Sequence, residues 1–140
     1  MSTPRTLDRI AYRSRYKYQL VGEYSTVLHF CPPSNIEHRW FRISADGIIW
    51  MADGYAWDGP SGPTIDTPDS MRGSLVHDVI YQSISEGLLP MSYRPAADME
   101  LEIVCLQDGM LAIRARAWRT AVQAFGRTPA SRPRPVLYAP

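Results

Sequence analysis

Cysteine, lysine and long apolar runs are all scarce in this chain. Two cysteines, Cys31 and Cys105, in 140 residues exclude a disulfide scaffold or a thiolate zinc centre. Both read as small buried hydrophobes. The longest apolar stretches, near residues 47–52, 75–76 and 103–106, fall far short of the roughly 20 residues that a membrane span needs, so no transmembrane segment is predicted. The start, Met1-Ser-Thr-Pro-Arg, lacks the basic-then-apolar layout of a signal peptide, and none is expected. No repeat of solenoid length and no nucleic-acid-binding signature occurs. Lys17 is the sole lysine against fourteen arginines, which favours bidentate contacts to carboxylate or phosphate wherever a basic residue is used.

What is present is an ordinary globular composition: 45% apolar and 21% charged residues suffice for a packed core. The length suits one domain, expected over residues 1–126. The net charge of +1 conceals a division. Residues 52–108 hold ten of the fourteen acids but only Arg72 and Arg94, a net −8, which leaves +9 for the rest. An acidic middle between basic ends points to a cation site in the middle or anionic partners at the ends. Mutual neutralisation on folding is the plainer alternative.

The expected architecture is α+β. Residues 1–14 read as an irregular polar arm. Residues 16–21, 24–30, 39–44 and 48–52 are rich in strand formers, with turns at Gly22-Glu23 and Ala45-Asp46-Gly47, so an antiparallel meander is predicted. Residues 54–68 hold three Gly and three Pro, which excludes a helix or a central strand. Three helices should follow. The first is capped by Thr67 or Asp69 and stops at Gly87, the second covers 95–107, and the third covers 110–125. Residues 127–140, rich in Pro and Arg and free of acids, read as an extended tail.

The chemistry-bearing residues concentrate on the first helix. His77 and Tyr81, four apart, share a face, and Asp78 lies one residue round. Leu75, Val76, Val79 and Ile80 bury the helix, so these polar groups sit at a core margin and need partners. If the first two helices pack antiparallel, Asp98 can face His77 and fix its tautomer. No Gly-x-Ser-x-Gly elbow is present, since Pro60-Ser61-Gly62 is not one. A metal would be the other source of electrophilic assistance. Asp78 with backbone carbonyls from the Gly/Pro stretch makes an all-oxygen environment suited to Ca²⁺ and poor for Zn²⁺. Trp57, placed in that stretch, is a candidate substrate or partner contact. Equally, the His, Asp and Tyr groups can form a purely structural hydrogen-bond network.

At these residues the sequence resembles the secreted-type phospholipase A2 active site, above all its parvovirus-capsid version. The likeness rests on Trp57-Asp58-Gly59-Pro60-Ser61-Gly62, His77-Asp78-x-x-Tyr81 and Ala97-Asp98, and covers about residues 55–103. It implies His77 as general base, Asp98 as its orienting partner and Tyr81 as the hydroxyl that holds Asp98. It implies a calcium ion on Asp78, with backbone carbonyls near Trp57, Gly59 and Ser61. The cysteines of the extracellular enzymes are absent, Asp58 replaces a small or apolar loop residue, and strands precede the site where those enzymes begin with a helix. Over a longer stretch the chain resembles a family of small phage and bacterial proteins with no established activity. That likeness implies a virion component or a protein of the infected cell's cytoplasm, with residues 1–14 and 127–140 docking onto other phage structural proteins. The functional expectations are therefore two: a calcium-assisted ester hydrolase, plausibly acting on phospholipid, or a non-enzymatic virion protein.

Overall fold

The structure is a computed structural model that describes residues 10–14, 18–58 and 67–125. The fold is α+β: strands in two antiparallel sheets, then three helices. The described residues fall into two compact units, one within 10–58 and one within 67–125.

In the strand unit, β1 (Ala11–Ser14), β2 (Tyr18–Val21) and β7 (Ala56–Trp57) form a three-stranded sheet in the order β1-β2-β7. A four-stranded sheet in the order β3-β6-β5-β4 contains β3 (Tyr24–Val27), β4 (Ile36–Glu37), β5 (Phe41–Ile43) and β6 (Ile48–Met51). Three sequence expectations change here. Residues 11–14, read as part of an irregular arm, are a strand paired to β2. The meander is interrupted, because Gly22-Glu23 passes the chain from one sheet to the other instead of closing a hairpin, and β3 pairs with β6. Trp57, read as a loop residue, is the end of β7, opposite Tyr18, with its ring 5.6 Å from that of Tyr18. It is 2% exposed, so it is not a surface contact. Local periodicity could not show these points, because each depends on pairing between residues far apart in sequence. Cys31 is exposed, not a core residue; Cys105 is buried as expected.

The β5–β6 hairpin does form at Ala45-Asp46-Gly47. Gly47 adopts φ +88°, its N–H bonds to the Ser44 carbonyl at 2.9 Å, and a Cβ there would come within 2.9 Å of the Phe30 carbonyl oxygen. Only glycine satisfies both conditions. Strand alternation then buries Phe41, Ile43, Ile49 and Met51, while Arg42 on the opposite face stacks 4.3 Å over Trp50.

The helical unit contains α1 (Pro68–Ser85), a 3₁₀ turn (Met91–Tyr93), α2 (Arg94–Gln107) and α3 (Ala112–Phe125). Thr67 is the N-cap of α1: the Ser70 hydroxyl accepts from its N–H at 3.1 Å, and Pro68 fills the first turn. Both α1 and α2 end in the same glycine device. The Gly87 N–H reaches the Ile84 carbonyl at 3.1 Å and Leu88 N–H the Ser83 carbonyl at 2.8 Å. Gly109 and Met110 repeat this against Leu106 and Cys105. These are Schellman closures, which consume carbonyls left open at a helix end and require the positive φ that glycine supplies here.

Helices α1 and α2 run antiparallel, as the contacts His77–Asp98, Gly73–Leu101 and Arg72–Asp108 require. Their approach is closest at Gly73, where a Cβ would lie 2.7 Å from Cys105 Sγ and 3.3 Å from the Leu101 carbonyl oxygen. Leu101, Cys105, Met110, Ala115, Trp118 and Val122 pack α2 against α3. Arg72, only 2% exposed, forms an ion pair with Asp108 at 2.8 Å and also donates to Gln107, tying the start of α1 to the end of α2. Every residue from Ser70 to Ile84 is buried, so the polar side chains of α1 must find partners within the protein.

Gly73→Ala overpacks this contact and is expected to destabilise the fold by about 1–3 kcal/mol in urea unfolding. Cys105→Ala in the same chain removes the closest clashing atom, so the double variant should recover part of the loss that Gly73→Ala alone incurs.

Candidate functional site

The site is built from two facing helices. On α1, the one-turn spacing of His77 and Tyr81 brings their rings to 4.2 Å between centroids. On α2, Asp98 projects at both. One oxygen, Oδ1, lies 2.8 Å from His77 Nε2 and accepts the Tyr81 hydroxyl at 2.6 Å. His77 is 4% exposed, Tyr81 2% and Asp98 2%. Asp98 is placed by the α1–α2 contact that Gly73 permits one turn further on.

The network fixes the chemistry of each member. A carboxylate only accepts, so His77 Nε2 carries a proton and donates it, and in the neutral imidazole the lone pair is then on Nδ1. Nδ1 lies 4.0 Å from Asp78 Oδ1, so the imidazole has one carboxylate beside each nitrogen. The Tyr81 phenol is held above its ordinary range near 10.0, chiefly by burial and then by its bond to, and the charge of, Asp98. Burial likewise pushes the Cys105 thiol up to about 12, with the Asp108 and Asp69 charges adding to it. That thiol is therefore inert core.

The three residues expected to work together, His77, Asp98 and Tyr81, are brought together. Asp78 adjoins them. Gly59 and Ser61 lie outside the described residues, and Trp57 is a strand residue of the other unit. Among the described residues no group of three His, Cys, Asp or Glu side chains is disposed to hold a metal. Asp78 offers one carboxylate, of the hard oxygen kind that suits calcium rather than zinc.

Arg94 was not singled out from the sequence, although a signal exists: it precedes Asp98 by four residues on α2, hence on the same face. Its guanidinium stands 6.0 Å over the Tyr81 ring. Scans against protein-family models and searches of curated proteins and of solved structures find no match to this chain. Among the described residues, no helix is long and apolar enough to cross a membrane.

Tyr81→Phe deletes a buried hydrogen bond to a carboxylate and should cost about 1.5–3 kcal/mol at neutral pH. The raised phenol pKa sets the sign of the pH effect. The stabilisation is complete below the unfolded value near 10.0 and falls as pH rises beyond it, because the unfolded chain ionises first. Urea midpoints for the two proteins should therefore converge at alkaline pH. A constant difference would contradict this origin.

Proposed function

We propose that the helical unit carries a hydrolytic site for carboxylic esters, with phospholipid as the candidate substrate, and that His77 is its general base. The observation that carries the reading is the shared Asp98 oxygen. It holds His77 through Nε2, braces that contact with Tyr81, and so assigns the free lone pair to Nδ1. In the proposed reaction Nδ1 takes a proton from water as the water oxygen attacks the ester carbonyl. The imidazolium that forms is stabilised by Asp98 at Nε2. When the carbon–oxygen bond to the leaving alkoxide breaks, Nδ1 returns the proton to that oxygen, and carboxylic acid and alcohol depart. Asp78, beside Nδ1, would be the carboxylate that holds a calcium ion, the role the phospholipase likeness gives it. Bound there, the ion would supply positive charge for the developing oxyanion. The sequence likeness to phospholipase A2 supports the same assignment, residue by residue.

The second reading, a structural network in a virion protein, is favoured by the near-complete burial of His77, Tyr81, Asp78 and Asp98. In that case residues 1–14 and 127–140 would be docking segments; of these only residues 10–14 are described.

Release of fatty acid from phospholipid vesicles, with calcium and with a chelator, separates the two. The hydrolase reading expects calcium-dependent release that falls by about 10²–10⁴-fold in His77→Gln, with the helical circular dichroism retained. Release at equal rates by both folded proteins, or by neither, would leave the structural reading.

A further inference from the structure

Three arginines of the helical unit face carboxylates. Arg72 pairs with Asp108, Arg114 with Asp69 at 3.3 Å, and Arg119 faces Glu102 at 3.7 Å. Arg94, partly buried, has no carboxylate within ion-pair distance among the described residues; its guanidinium adjoins the Tyr81 hydroxyl, and its Nε, like that of Arg119, is sealed from solvent without a hydrogen-bond acceptor. A buried donor left unsatisfied costs free energy and calls for a cause. Its position suggests one. Arg94 shares the α2 face of Asp98 and covers the ring of Tyr81, the residue that braces the Asp98–His77 contact. A guanidinium there presents a planar fork of donors next to the proposed base, in a form that matches an oxyanion bidentately.

We propose that Arg94 anchors an anion subsite beside the His77–Asp98 pair, receiving a phosphate or carboxylate group of the ligand. The subsite gives the site its substrate class: an ester that carries an oxyanion close to the bond being cleaved. Its consequence for turnover rests on the hydrolase reading, whereas the binding itself does not.

The test follows the Arg94 Nε–H resonance in ¹H–¹⁵N spectra, assigned by its disappearance in Arg94→Gln. Inorganic phosphate, acetate and dihexanoylphosphatidylcholine below its micellar concentration are titrated separately. A saturable shift is expected with at least one. Phosphate and acetate arms distinguish the two oxyanions, and the lipid arm distinguishes a headgroup from the free ion. Read from the backbone amide shifts of residues 93–98, since neither variant carries the Nε–H, Arg94→Gln should weaken the best of these by about tenfold or more and Arg94→Lys by less, as the loss of one bidentate charged contact implies. Arg116→Gln, at an exposed position of α3, serves as the control and should change nothing. If all three titrations leave the resonance unmoved, or if Arg94→Gln binds as the parent does, Arg94 merely balances the charge of Asp98 and the proposal fails. In turnover, Arg94→Gln should raise KM for the phospholipid while sparing a neutral acyl ester. Absence of hydrolysis with both substrates would defeat the hydrolase reading and leave the titration to decide the subsite.

Discussion

A carboxylate buried to the extent of Asp98 is tolerated only when donors replace the water it has lost. Here two donors arrive from one helix face, and both are directed at a single oxygen. That requirement organises the helical unit. His77 and Tyr81 must be one turn apart, α2 must run antiparallel beside α1, and the two helices must approach closely enough for side chains of ordinary length to meet. Gly73, one turn before His77, removes the side chain that would hold them apart. The Arg72–Asp108 ion pair fixes the far end of the same contact, so the helices are pinned on both sides of Gly73.

Such a network has an energetic consequence beyond its own bonds. Helix α1 is buried all round from Ser70 to Ile84, and its polar side chains interrupt what would otherwise be an apolar rod. Ser74 and Ser83 return their hydroxyls to the main chain, bonding to the Met71 and Val79 carbonyls, and so cost little. His77 and Arg72 have no such local outlet. Each needs a carboxylate from the end or middle of α2, which makes the register of α2 on α1 a matter of charge as well as shape. A slide of one turn would strand two buried donors at once.

Helix spacing made much of this legible. The apolar repeat of 75, 76, 79 and 80, the caps at Thr67 and Gly87, and the one-turn spacing of His77 and Tyr81 are local features, and each is read from a few adjacent residues. The interval from His77 to Asp98 was legible for a related reason: two helices joined by a short turn have few ways to lie other than antiparallel. The strand unit resisted the same treatment. That β2 pairs with β7 across more than thirty residues, or that Gly22 passes the chain between sheets, is settled by long-range pairing that no window contains. Trp57 was misplaced on that account, since its Gly- and Pro-rich neighbours on the C-terminal side disguise a short strand. Arg94 was overlooked for a different reason. An arginine near a helix start is commonplace, and its interest lies in standing beside Tyr81 with a buried Nε that meets no acceptor, which is a property of the fold.

The choice of histidine at position 77 carries weight that burial alone does not explain. Holding Asp98 calls for a buried N–H or O–H donor, and a tryptophan or a glutamine would supply one without a titrating group. Histidine adds a second nitrogen: with Nε2 donating to Asp98, Nδ1 is the acceptor of the neutral ring. Asp78 Oδ1 stands 4.0 Å from that nitrogen, so a second carboxylate lies close to the ring. An imidazole flanked by two carboxylates suits a packed network as well as a reactive one, because each ring nitrogen can donate to a carboxylate. In the proposed hydrolysis both neighbours would have a use, Asp98 at Nε2 and Asp78 beside Nδ1, where the proton from water would arrive.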